Sequence, residues 1–321
     1  MSNPRFSFLI PVYIQVGKMD RCIESVKAQT FTDFEVILVN DGSTDGSQEM
    51  LDKFAEEDAR FKVFSHEKNR SLLCARFTGM KNASGDYVVY LDSDDYVDAE
   101  LLAELDELIK AEKPDVIRYG RTIEPMGYQL PVKKFDDPLK SFMTGENDPR
   151  IVETCISTEL TKKVVELVPD PPYVNNAEDT FMSATIYTFA KKFSYLDKPY
   201  YHYEIYGGMS RNSESLSMEK LQRVKQSLDN CSNGIIEYFK KYNPDKVDLC
   251  YTAAANFYKY ETMHFVLNTD DECKAVEFIN GFADDRFPDV FEYACKEILP
   301  EFFKRKLVEG HKPDKYKFYL F

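Results

Sequence analysis

Three aspartates crowd into one turn after a short apolar run, in the sequence DYVVYLDSDDYVD that begins at residue 86. They are Asp92, Asp94 and Asp95. Like charges at this spacing repel one another, and a partly buried carboxylate is costly unless something compensates it. Carboxylate oxygens suit Mg²⁺ or Mn²⁺, and such sites commonly leave positions open for the phosphate oxygens of a substrate. The turn therefore favours a divalent cation site.

Helix capping and a phosphatase motif are the two alternatives for this turn, and both stay open. Acidic residues favour the first turn of a helix, but Asp98 and Glu100 already serve the next helix in that way. An Asp-x-Asp after an apolar strand also opens the haloacid-dehalogenase-type phosphatases, whose first Asp is a nucleophile. That motif normally lies on the first strand and has Thr or Val two residues after its second Asp. Here it follows the fourth apolar run and the residue is Tyr96, so the phosphatase is the weaker alternative.

The elements that must position the turn alternate between two patterns in the first third of the chain. Segments with helical periodicity separate apolar, β-branched runs, which predicts an α/β fold with a mostly parallel sheet flanked by helices. The predicted strands are Phe6–Val12, Phe34–Val39, Phe61–Phe64, Tyr87–Leu91 and Asp115–Tyr119, and the predicted helices are Met19–Gln29, Gly46–Glu57, Leu72–Asn82 and Ala99–Lys110.

Two further predicted strands end in segments that could contact a ligand. The first run ends in Pro11-Val12-Tyr13, and the second leads into NDGSTDG at residues 40–46. Ligands of open α/β sheets bind at the carboxyl ends of strands, so these loops and the acidic turn should share one edge. Asn-Asp-Gly-Ser is also ordinary turn chemistry, which is the plainer reason for Asp41. The glycine-rich phosphate loops of dinucleotide-binding and P-loop proteins are absent from these N-terminal loops, which disfavours both classes.

The predicted secondary structure changes twice in the remainder of the chain. Residues 125–153 predict loops and short pieces, followed by a helix over Asp179–Lys191 and strands at Phe193–Leu196 and Tyr200–Tyr203. Helical patterns then dominate, at Met218–Lys241, Lys246–Val266, Asp271–Phe282 and Val290–Leu299. We therefore predict an α/β domain over residues 1–212 and a helical region over residues 213–321.

Composition and net charge argue against several classes of partner, targeting segment and metal site. A net charge of −14 argues against a nucleic-acid partner. The N-terminus does not resemble a signal peptide, and no apolar run reaches the roughly 20 residues that span a bilayer. Seven cysteines without a Cys-x-x-Cys pair, and four histidines far apart, favour reduced thiols over a zinc site. These features predict a cytoplasmic protein.

Taken together, the segments PVY, VNDGSTDGS, N-x-x-x-x-x-A-R and LDSDD resemble the family-two glycosyltransferases, inverting enzymes with a GT-A fold. The resemblance covers roughly the first 200 residues. It implies a nucleotide-sugar-binding half over residues 1–120 and an acceptor half over residues 121–212. The implied reaction transfers a hexosyl or N-acetylhexosaminyl group from a nucleotide sugar, with UDP as the expected nucleotide, to a hydroxyl of a saccharide or lipid-linked acceptor. A role in surface polysaccharide synthesis comes from the resemblance alone.

The resemblance also assigns the donor site by matching position. Pro11, Val12 and Tyr13 would line the nucleobase pocket, and Asp41 would hydrogen-bond the base, as uracil through its N3–H. Asn69 and Arg76 resemble residues that contact the nucleotide. Asp94 would be the principal ligand of Mn²⁺ or Mg²⁺, and the remaining implied nucleotide-sugar contacts are Asp92, which also lies near the metal, Ser93 and Arg211.

The stretch NNAEDTF at residues 175–181 resembles the family's Glu-Asp element at the start of the acceptor-side helix. It makes Asp179 the catalytic base and Glu178 a neighbour that contacts the acceptor. The alternative is structural: Asn176 would cap a helix whose first turn favours two acids. His202 is a candidate for contact with the diphosphate or for a structural place in a strand, and Gly207-Gly208 would let a loop close over the diphosphate.

Three positions depart from the family pattern. The family usually has Asn where Ile14 stands, Gly where Ser71 stands and Asn where Phe77 stands. These changes alter the expected shape of the nucleotide pocket and leave its charged residues intact.

The last twenty residues, FFKRKLVEGHKPDKYKFYLF, are basic and aromatic. They predict either peripheral contact with anionic lipid or docking of Phe302, Phe303 and Phe318–Phe321 on the fold or on another subunit of a homo-oligomer. Two alternatives to a transferase also stay open. A sugar-1-phosphate nucleotidyltransferase shares the sheet and an acidic metal site but needs a glycine-rich basic loop, and a non-catalytic sugar-nucleotide-binding protein would not need Asp94 and Asp179.

Overall fold

The computed structural model describes residues 3–146, 150–205, 216–269 and 271–309. The chain forms two compact units. The first, which we call the α/β unit, comprises Met1–Leu139 and Asp148–Asn212. The second, which we call the helical unit, comprises Lys140–Asn147 and Ser213–Phe321. The finer division of the α/β unit into donor and acceptor halves stays a prediction.

A seven-stranded sheet forms the centre of the α/β unit. Its spatial order is β10-β6-β9-β4-β1-β2-β3, with β1 (Phe6–Val12), β2 (Phe34–Asn40), β3 (Phe61–Ser65), β4 (Tyr87–Tyr90), β6 (Val116–Arg118), β9 (Thr154–Ser157) and β10 (Phe193–Tyr195). Neighbouring strands are parallel except at β9, which is antiparallel to both β4 and β6. All residues of β1, β2 and β4 are buried, as expected when helices cover both faces of a sheet.

Among the α-helices that the structure describes, six lie within the α/β unit. They are α1 (Asp20–Lys27), α2 (Ser47–Glu57), α3 (Leu72–Asn82), α4 (Leu101–Glu112), α6 (Thr158–Leu167) and α7 (Glu178–Tyr187), whereas most of α5 (Pro138–Met143) belongs to the helical unit. Helix α3 lies directly on β1, as shown by Gly79, where an added Cβ atom would fall 2.3 Å from Cγ of Leu9. This close approach puts the buried face of α3 beside the strand ends that carry the motifs.

A smaller sheet of four strands lies after the acidic turn in the α/β unit. Its order is β5-β11-β7-β8, with β5 (Tyr96–Val97), β7 (Arg121–Glu124), β8 (Tyr128–Leu130) and β11 (Tyr201–Glu204). Strand β5 begins at the residue after Asp95 and pairs with β11. The smaller sheet therefore anchors the turn on its C-terminal side.

The helical unit contains α8 (Met218–Tyr242), α9 (Val247–Leu267), α10 (Glu272–Phe282), α11 (Pro288–Tyr293) and α12 (Leu299–Glu309). Its core includes Phe265, whose ring meets Phe278 and Phe282 edge-on at 5.1 and 5.2 Å. Phe302 is buried and Phe303 is exposed, while Phe318–Phe321 lie outside the described residues. Among the helices that the structure describes, none combines the length and the apolar character needed to cross a bilayer.

The predicted α/β fold with a helical C-terminal region is confirmed. The features that were not predicted include the antiparallel strand β9, the small sheet and helices α5, α6 and α12. Strands β5, β7, β8 and β9 are only two to four residues long, so they are too short for a periodic apolar pattern to mark them.

Candidate functional site

The ends of β1 and β2 are joined by hydrogen bonds. The N–H of Asp41 donates to the carbonyl oxygen of Val12 at 2.8 Å. The N–H of Ile14 donates to Oγ of Ser43 at 3.0 Å, and the N–H of Val16 donates to Oδ2 of Asp45 at 3.1 Å. Residues 40–46, which we call the β2 loop, therefore hold the Pro-Val-Tyr segment, with Pro11 and Val12 buried and Tyr13 half-buried.

The β2 loop lies against the segment that connects β3 to α3. Gly42 has φ +71°, and a Cβ atom there would lie 2.4 Å from the carbonyl carbon of Lys68. No larger residue fits without moving backbone, because the obstructing atoms belong to the main chain. The contact places the carboxylate of Asp41 beside residues 66–71.

Asp41 accepts hydrogen bonds at both carboxylate oxygens. Oδ1 is 2.6 Å from Nδ1 of His66 and accepts the N–H of Arg70 at 2.8 Å. Oδ2 accepts the N–H of Ser71 at 3.0 Å. The second ring nitrogen of His66, Nε2, lies 2.8 Å from Oγ1 of Thr78 on α3. Asp41 is thus a buried carboxylate whose orientation is set by three protein donors.

The carboxylates of the acidic turn, residues 92–95, differ in their hydrogen-bond and ion-pair partners. Oδ1 of Asp92 accepts from Nη2 of Arg76 at 2.9 Å. Asp95 is buried, and its carboxylate accepts the hydroxyl of Tyr201 and the N–H of Glu204, which ties the turn to β11. Asp94 makes neither a hydrogen bond to another residue nor an ion pair within the described part of the chain. Burial and repulsion by Asp92 raise the pKa of Asp94 to about 6.

These residues fit a divalent cation bound together with a substrate. Asp94 offers hard oxygen ligands that no cationic side chain of the described residues neutralises at ion-pair distance, and Asp92 lies two residues away. Within the described residues no group of three Asp, Glu, His or Cys side chains could hold an ion by itself. A site of one or two carboxylates completed by phosphate oxygens is the usual way in which Mg²⁺ is bound beside a nucleotide.

Arg76 connects the acidic turn to the start of α7. The side chain is 1% exposed and lies on the face of α3 that packs inward. Its Nη1 donates to Oδ1 of Asp179 at 2.7 Å and lies 3.5 Å from Oε1 of Glu178, while Nη2 holds Asp92. One guanidinium therefore brings together three carboxyl groups from two elements that are far apart in sequence.

The two acids at the start of α7 differ in environment. Burial, and then repulsion by Asp179, raise the pKa of Glu178 to about 8. The closer partner of Arg76 is Asp179, since its carboxylate is 2.7 Å from the guanidinium nitrogen that Glu178 approaches only to 3.5 Å. Neighbouring acids whose environments push their pKa values apart are suited to separate roles. Near neutral pH, the arrangement favours a protonated Glu178 beside Asp179.

The segment that leads into α7 is fastened to the start of α3. The N–H of Val174 donates to Oγ of Ser71 at 3.1 Å, and the N–H of Leu72 donates to Oδ1 of Asn175 at 2.9 Å. The hydroxyl of Tyr173 donates to Oδ1 of Asn69 at 3.0 Å. The β3–α3 segment thus touches Asp41 on one side and the segment before Asp179 on the other.

Strained backbone surrounds these contacts. Positive φ angles occur at three non-glycine residues of the site: Ile14 at 55°, Ser71 at 93° and Ala177 at 66°. Residues other than Gly, Asn and Asp adopt such conformations at a cost, and they cluster at functional sites. Ile14 and Ser71 are two of the positions that depart from the family pattern, so the chain keeps there a backbone that suits Asn or Gly.

The structure therefore brings together Asp92, Arg76, Glu178 and Asp179, and separately Asp41 with the β3–α3 segment. Arg76 was predicted to contact the nucleotide, and that stays a prediction; its observed partners are protein carboxylates. Ser93 is buried within the acidic turn. Arg211 and the loop with Gly207-Gly208 lie outside the described residues.

His202 lies between two carboxylates on the small sheet. Nδ1 is 3.0 Å from Oε1 of Glu124, Nε2 is 2.9 Å from Oδ1 of Asp98, and the ring stacks on Tyr96 at 4.3 Å. Both nitrogens are occupied by the protein, which favours a structural place for this residue. Sequence reasoning did not identify His66 or Tyr201. The available signal for His66 was its position at the carboxyl end of β3, where polar residues point to the ligand edge.

Comparisons with known proteins find one family model and several relatives of this chain. Residues 7–156 match the model of the family described as "Glycosyl transferase family 2". Glycosyltransferase GlyA of Streptococcus pneumoniae serotype 4 is 27% identical over 231 residues, which cover 65% of this chain and 32% of GlyA. EpsH of Bacillus subtilis (strain 168), which is named as a glycosyltransferase, is 27% identical over 215 residues, 64% of this chain and 62% of EpsH. The matches thus span about a third to three fifths of these relatives' lengths.

Solved structures share the fold over nearly the whole chain. Residues 1–349 of S. aureus TarS superpose with a TM-score of 0.64 at 18% identity, covering 96% of this chain and 92% of that one. The mannosyltransferase PcManGT from Pyrobaculum calidifontis, in complex with GDP-Man and Mn²⁺, superposes with a TM-score of 0.51 at 13% identity, covering 97% and 89%. At these identities, the likeness concerns the fold. The family match over residues 7–156, the relatives and the shared fold together support a family-2 glycosyltransferase.

Proposed function

We propose that this protein is a metal-dependent inverting glycosyltransferase that moves a sugar from a UDP-sugar to a hydroxyl of a saccharide or lipid-linked acceptor. The observation that carries the proposal is the guanidinium of Arg76, which is within 2.9 Å of both Asp92 and Asp179. It links the acidic turn, where a donor diphosphate would lie, to a carboxylate that can take a proton from an acceptor. A binding protein without catalysis has no need of that link.

In the proposed reaction Asp179 accepts the proton of the acceptor hydroxyl while the hydroxyl oxygen bonds to the anomeric carbon. The bond from that carbon to the diphosphate oxygen breaks on the opposite face, so the configuration inverts and the nucleoside diphosphate leaves. Arg76 holds the base in place, since its bond to Asp179 is short and the residue is buried. Positioned proton transfer and alignment of the two substrates supply much of the rate in such reactions.

Glu178 would serve a different purpose from Asp179. Its raised pKa leaves it a proton near neutral pH, so it can donate a hydrogen bond to an acceptor oxygen as well as accept one. Asp94, with Asp92, would hold Mn²⁺ or Mg²⁺, which offsets the charge that develops on the leaving diphosphate when it is bound. Pro11, Val12, Tyr13, Asp41, Asn69 and Ser93 would contact the nucleotide sugar, and so would Arg211, outside the described residues.

The donor class is supported by what similar proteins bind. TarS has been solved with UDP and with UDP-GlcNAc, and PcManGT with GDP-Man and Mn²⁺. Nucleotide sugars and a divalent cation are thus found on this fold, with two different bases. A role in surface polysaccharide synthesis is part of the proposal and comes from the resemblance to bacterial members of the family.

The test is calorimetric titration of UDP and GDP into the full-length protein, with Mn²⁺ and with EDTA, for the wild type and Asp94→Ala. We expect UDP to bind with Mn²⁺ and the binding to be lost in Asp94→Ala. Absence of binding by either nucleotide with Mn²⁺ would overturn the proposed donor.

The rate at which the protein hydrolyses UDP-sugars then tests Asp179 as the catalytic base. Asp179→Asn should lower the rate about 10²- to 10⁴-fold and leave UDP affinity unchanged, because the lost carboxylate acts on the acceptor proton and not on the nucleotide. Asp170→Asn is the matched control, since that carboxylate lies nine residues earlier and is 93% exposed. An unchanged rate in Asp179→Asn, or an equal fall in the control, would contradict the assignment.

A further inference from the structure

The hydrogen bonds of Asp41 bear on which nucleobase the site accepts, an inference that rests on the proposed function. A carboxylate has about four acceptor positions, two on each oxygen. Three of those of Asp41 are filled by the protein: His66 Nδ1 and the N–H of Arg70 on Oδ1, and the N–H of Ser71 on Oδ2. Among the described residues no fourth donor reaches it, so one position on Oδ2 is left for a ligand.

The single free acceptor position on Oδ2 of Asp41 distinguishes bases by the N–H groups that they present. Uracil presents one N–H at N3, between two carbonyl oxygens, and needs one acceptor there. Guanine presents N1–H and the N2 amino group side by side, and pairing both of these donors takes both oxygens of a carboxylate. Cytosine has a bare acceptor at N3 that a carboxylate repels. Because both positions on Oδ1 are filled, the arrangement fits uracil and disfavours guanine and cytosine.

His66 is the side-chain donor among the three. The other two donors are backbone N–H groups, which any sequence supplies, whereas His66 is a side chain at the end of β3. Its own orientation is set at Nε2, 2.8 Å from the hydroxyl of Thr78. The side chains of His66 and Asp41 are 7% and 4% exposed, so neither is free to turn into solvent. With Nδ1–H donating to Asp41 and Nε2 accepting from Thr78, a neutral imidazole satisfies both contacts.

We infer that His66, held by Thr78, is a positioning residue that fills Oδ1 of Asp41 and so restricts the base pocket to a nucleobase with one N–H donor between two carbonyl oxygens, which is uracil or thymine among the common bases. It acts through Asp41 and does not itself touch the ligand. Removing its bond would free Oδ1 and let the carboxylate rotate. The selectivity for N3–H should then fall, even where the nucleotide still binds.

Two substitutions separate the two bonds of His66. The side-chain amide of His66→Asn occupies the place of Nδ1, so this variant keeps the donor to Asp41 and loses Thr78. The longer His66→Gln reaches the place of Nε2, so it keeps Thr78 and loses the donor to Asp41. The two variants are similar in polarity and size, and each therefore controls for the general effect of replacing the ring.

The experiment is titration calorimetry with Mn²⁺, comparing UDP, N3-methyl-UDP and GDP on the full-length wild type and both variants. We expect the wild type to prefer UDP over N3-methyl-UDP by about 10- to 100-fold, the worth of one hydrogen bond to a charged group. His66→Asn should keep this ratio, and His66→Gln should reduce it to less than about threefold and bind GDP more tightly than the wild type does. Each ratio is measured on one protein, so a general loss of stability cancels.

Three outcomes would overturn the inference. Equal ratios in His66→Gln and the wild type would show that His66 does not act on base recognition. Equal affinities of the wild type for UDP and N3-methyl-UDP would show that Asp41 does not read N3–H. Failure of the wild type to bind UDP at all would overturn the proposed donor together with this inference, and that result is distinct from the other two.

Discussion

The β2 loop and the acidic turn both follow buried strands and both carry aspartates, yet they compensate negative charge in opposite ways. Asp41 receives three hydrogen bonds from the protein, whereas Asp94 receives none from another residue in the described chain. A carboxylate surrounded by donors is prepared for a neutral N–H group. A carboxylate without donors or an ion pair is prepared for a cation that arrives with the substrate.

The two regions also differ in backbone. Ile14 and Ser71, which flank the β2 loop in space, have φ angles of 55° and 93°, while none of residues 92–95 has a positive φ. The strained residues therefore lie beside the β2 loop, at Ile14 and Ser71, whereas the acidic turn keeps an unbalanced charge on backbone without positive φ angles. Of the cationic side chains that the structure describes, Arg76 is the one that pairs with the turn directly, through Asp92.

Removing that cation should produce the largest effect. Arg76→Met leaves Asp92 and Asp179 without their shared guanidinium, and breaking a buried ion pair from one side costs about 3–5 kcal/mol. We expect the free energy of unfolding in EDTA to fall by that amount, measured by urea denaturation and circular dichroism. Arg60→Met is the control, because Arg60 pairs with Asp58 at 33% exposure, where such pairs contribute at most about 1 kcal/mol. Equal losses in both variants would mean that the charge of the turn is balanced without Arg76.

Exchanging one carboxylate for an amide in each region tests the comparison itself. Asp41→Asn should weaken UDP binding about 10- to 100-fold both with Mn²⁺ and with EDTA, since the lost acceptor faces the base. Asp94→Asn should weaken it only when Mn²⁺ is present. The measurement is titration calorimetry under the two conditions. A metal-dependent effect of Asp41→Asn, or a metal-independent effect of Asp94→Asn, would reverse the roles given to the two regions.

Glu178 shows a third way to compensate a buried acid, which is to keep its proton. Its pKa is raised from 4.5 to about 8, first by burial and then by Asp179. The native state therefore holds a proton that the unfolded state releases between these values, and the free energy of unfolding falls as pH rises through that range. Glu178→Gln removes this dependence. It should be more stable than the wild type by about 4 kcal/mol at pH 8, and the difference should vanish toward pH 4.5.

Denaturation at a series of pH values in EDTA measures this difference. Glu166→Gln, an exposed acid at the end of α6, should show no such divergence. A constant offset between Glu178→Gln and the wild type at all pH values would indicate a packing effect and contradict the raised pKa.

The same two regions show how much of the structure could be predicted from the sequence. Long strands such as β1 and β2 are continuous apolar runs, so the sheet and the edge that carries Asp41 and Asp94 could be predicted from pattern. The partners of those carboxylates could not. His66 reaches Asp41 across 25 positions and Arg76 reaches Asp179 across 103. Such contacts depend on how α3 packs on β1, which a local pattern does not encode. The departures at Ile14 and Ser71 were visible as residue types, but their cost became apparent only with the φ angles.

That cost gives the smallest and cleanest prediction. Ile14 is 40% exposed, so its side chain stabilises little, while a left-handed conformation costs a non-glycine residue roughly 1–2 kcal/mol. Asn tolerates this conformation, so Ile14→Asn should raise the free energy of unfolding by about 1 kcal/mol and keep the bond from the N–H of residue 14 to Ser43. Val16→Asn is the control, because Val16 is 46% exposed and is not among the non-glycine residues of positive φ. If the backbone at Ile14 is strained, Ile14→Asn stabilises the protein and Val16→Asn does not. Equal effects would mean that Ile14 bears no strain and that the β2 loop and the acidic turn differ in charge compensation alone.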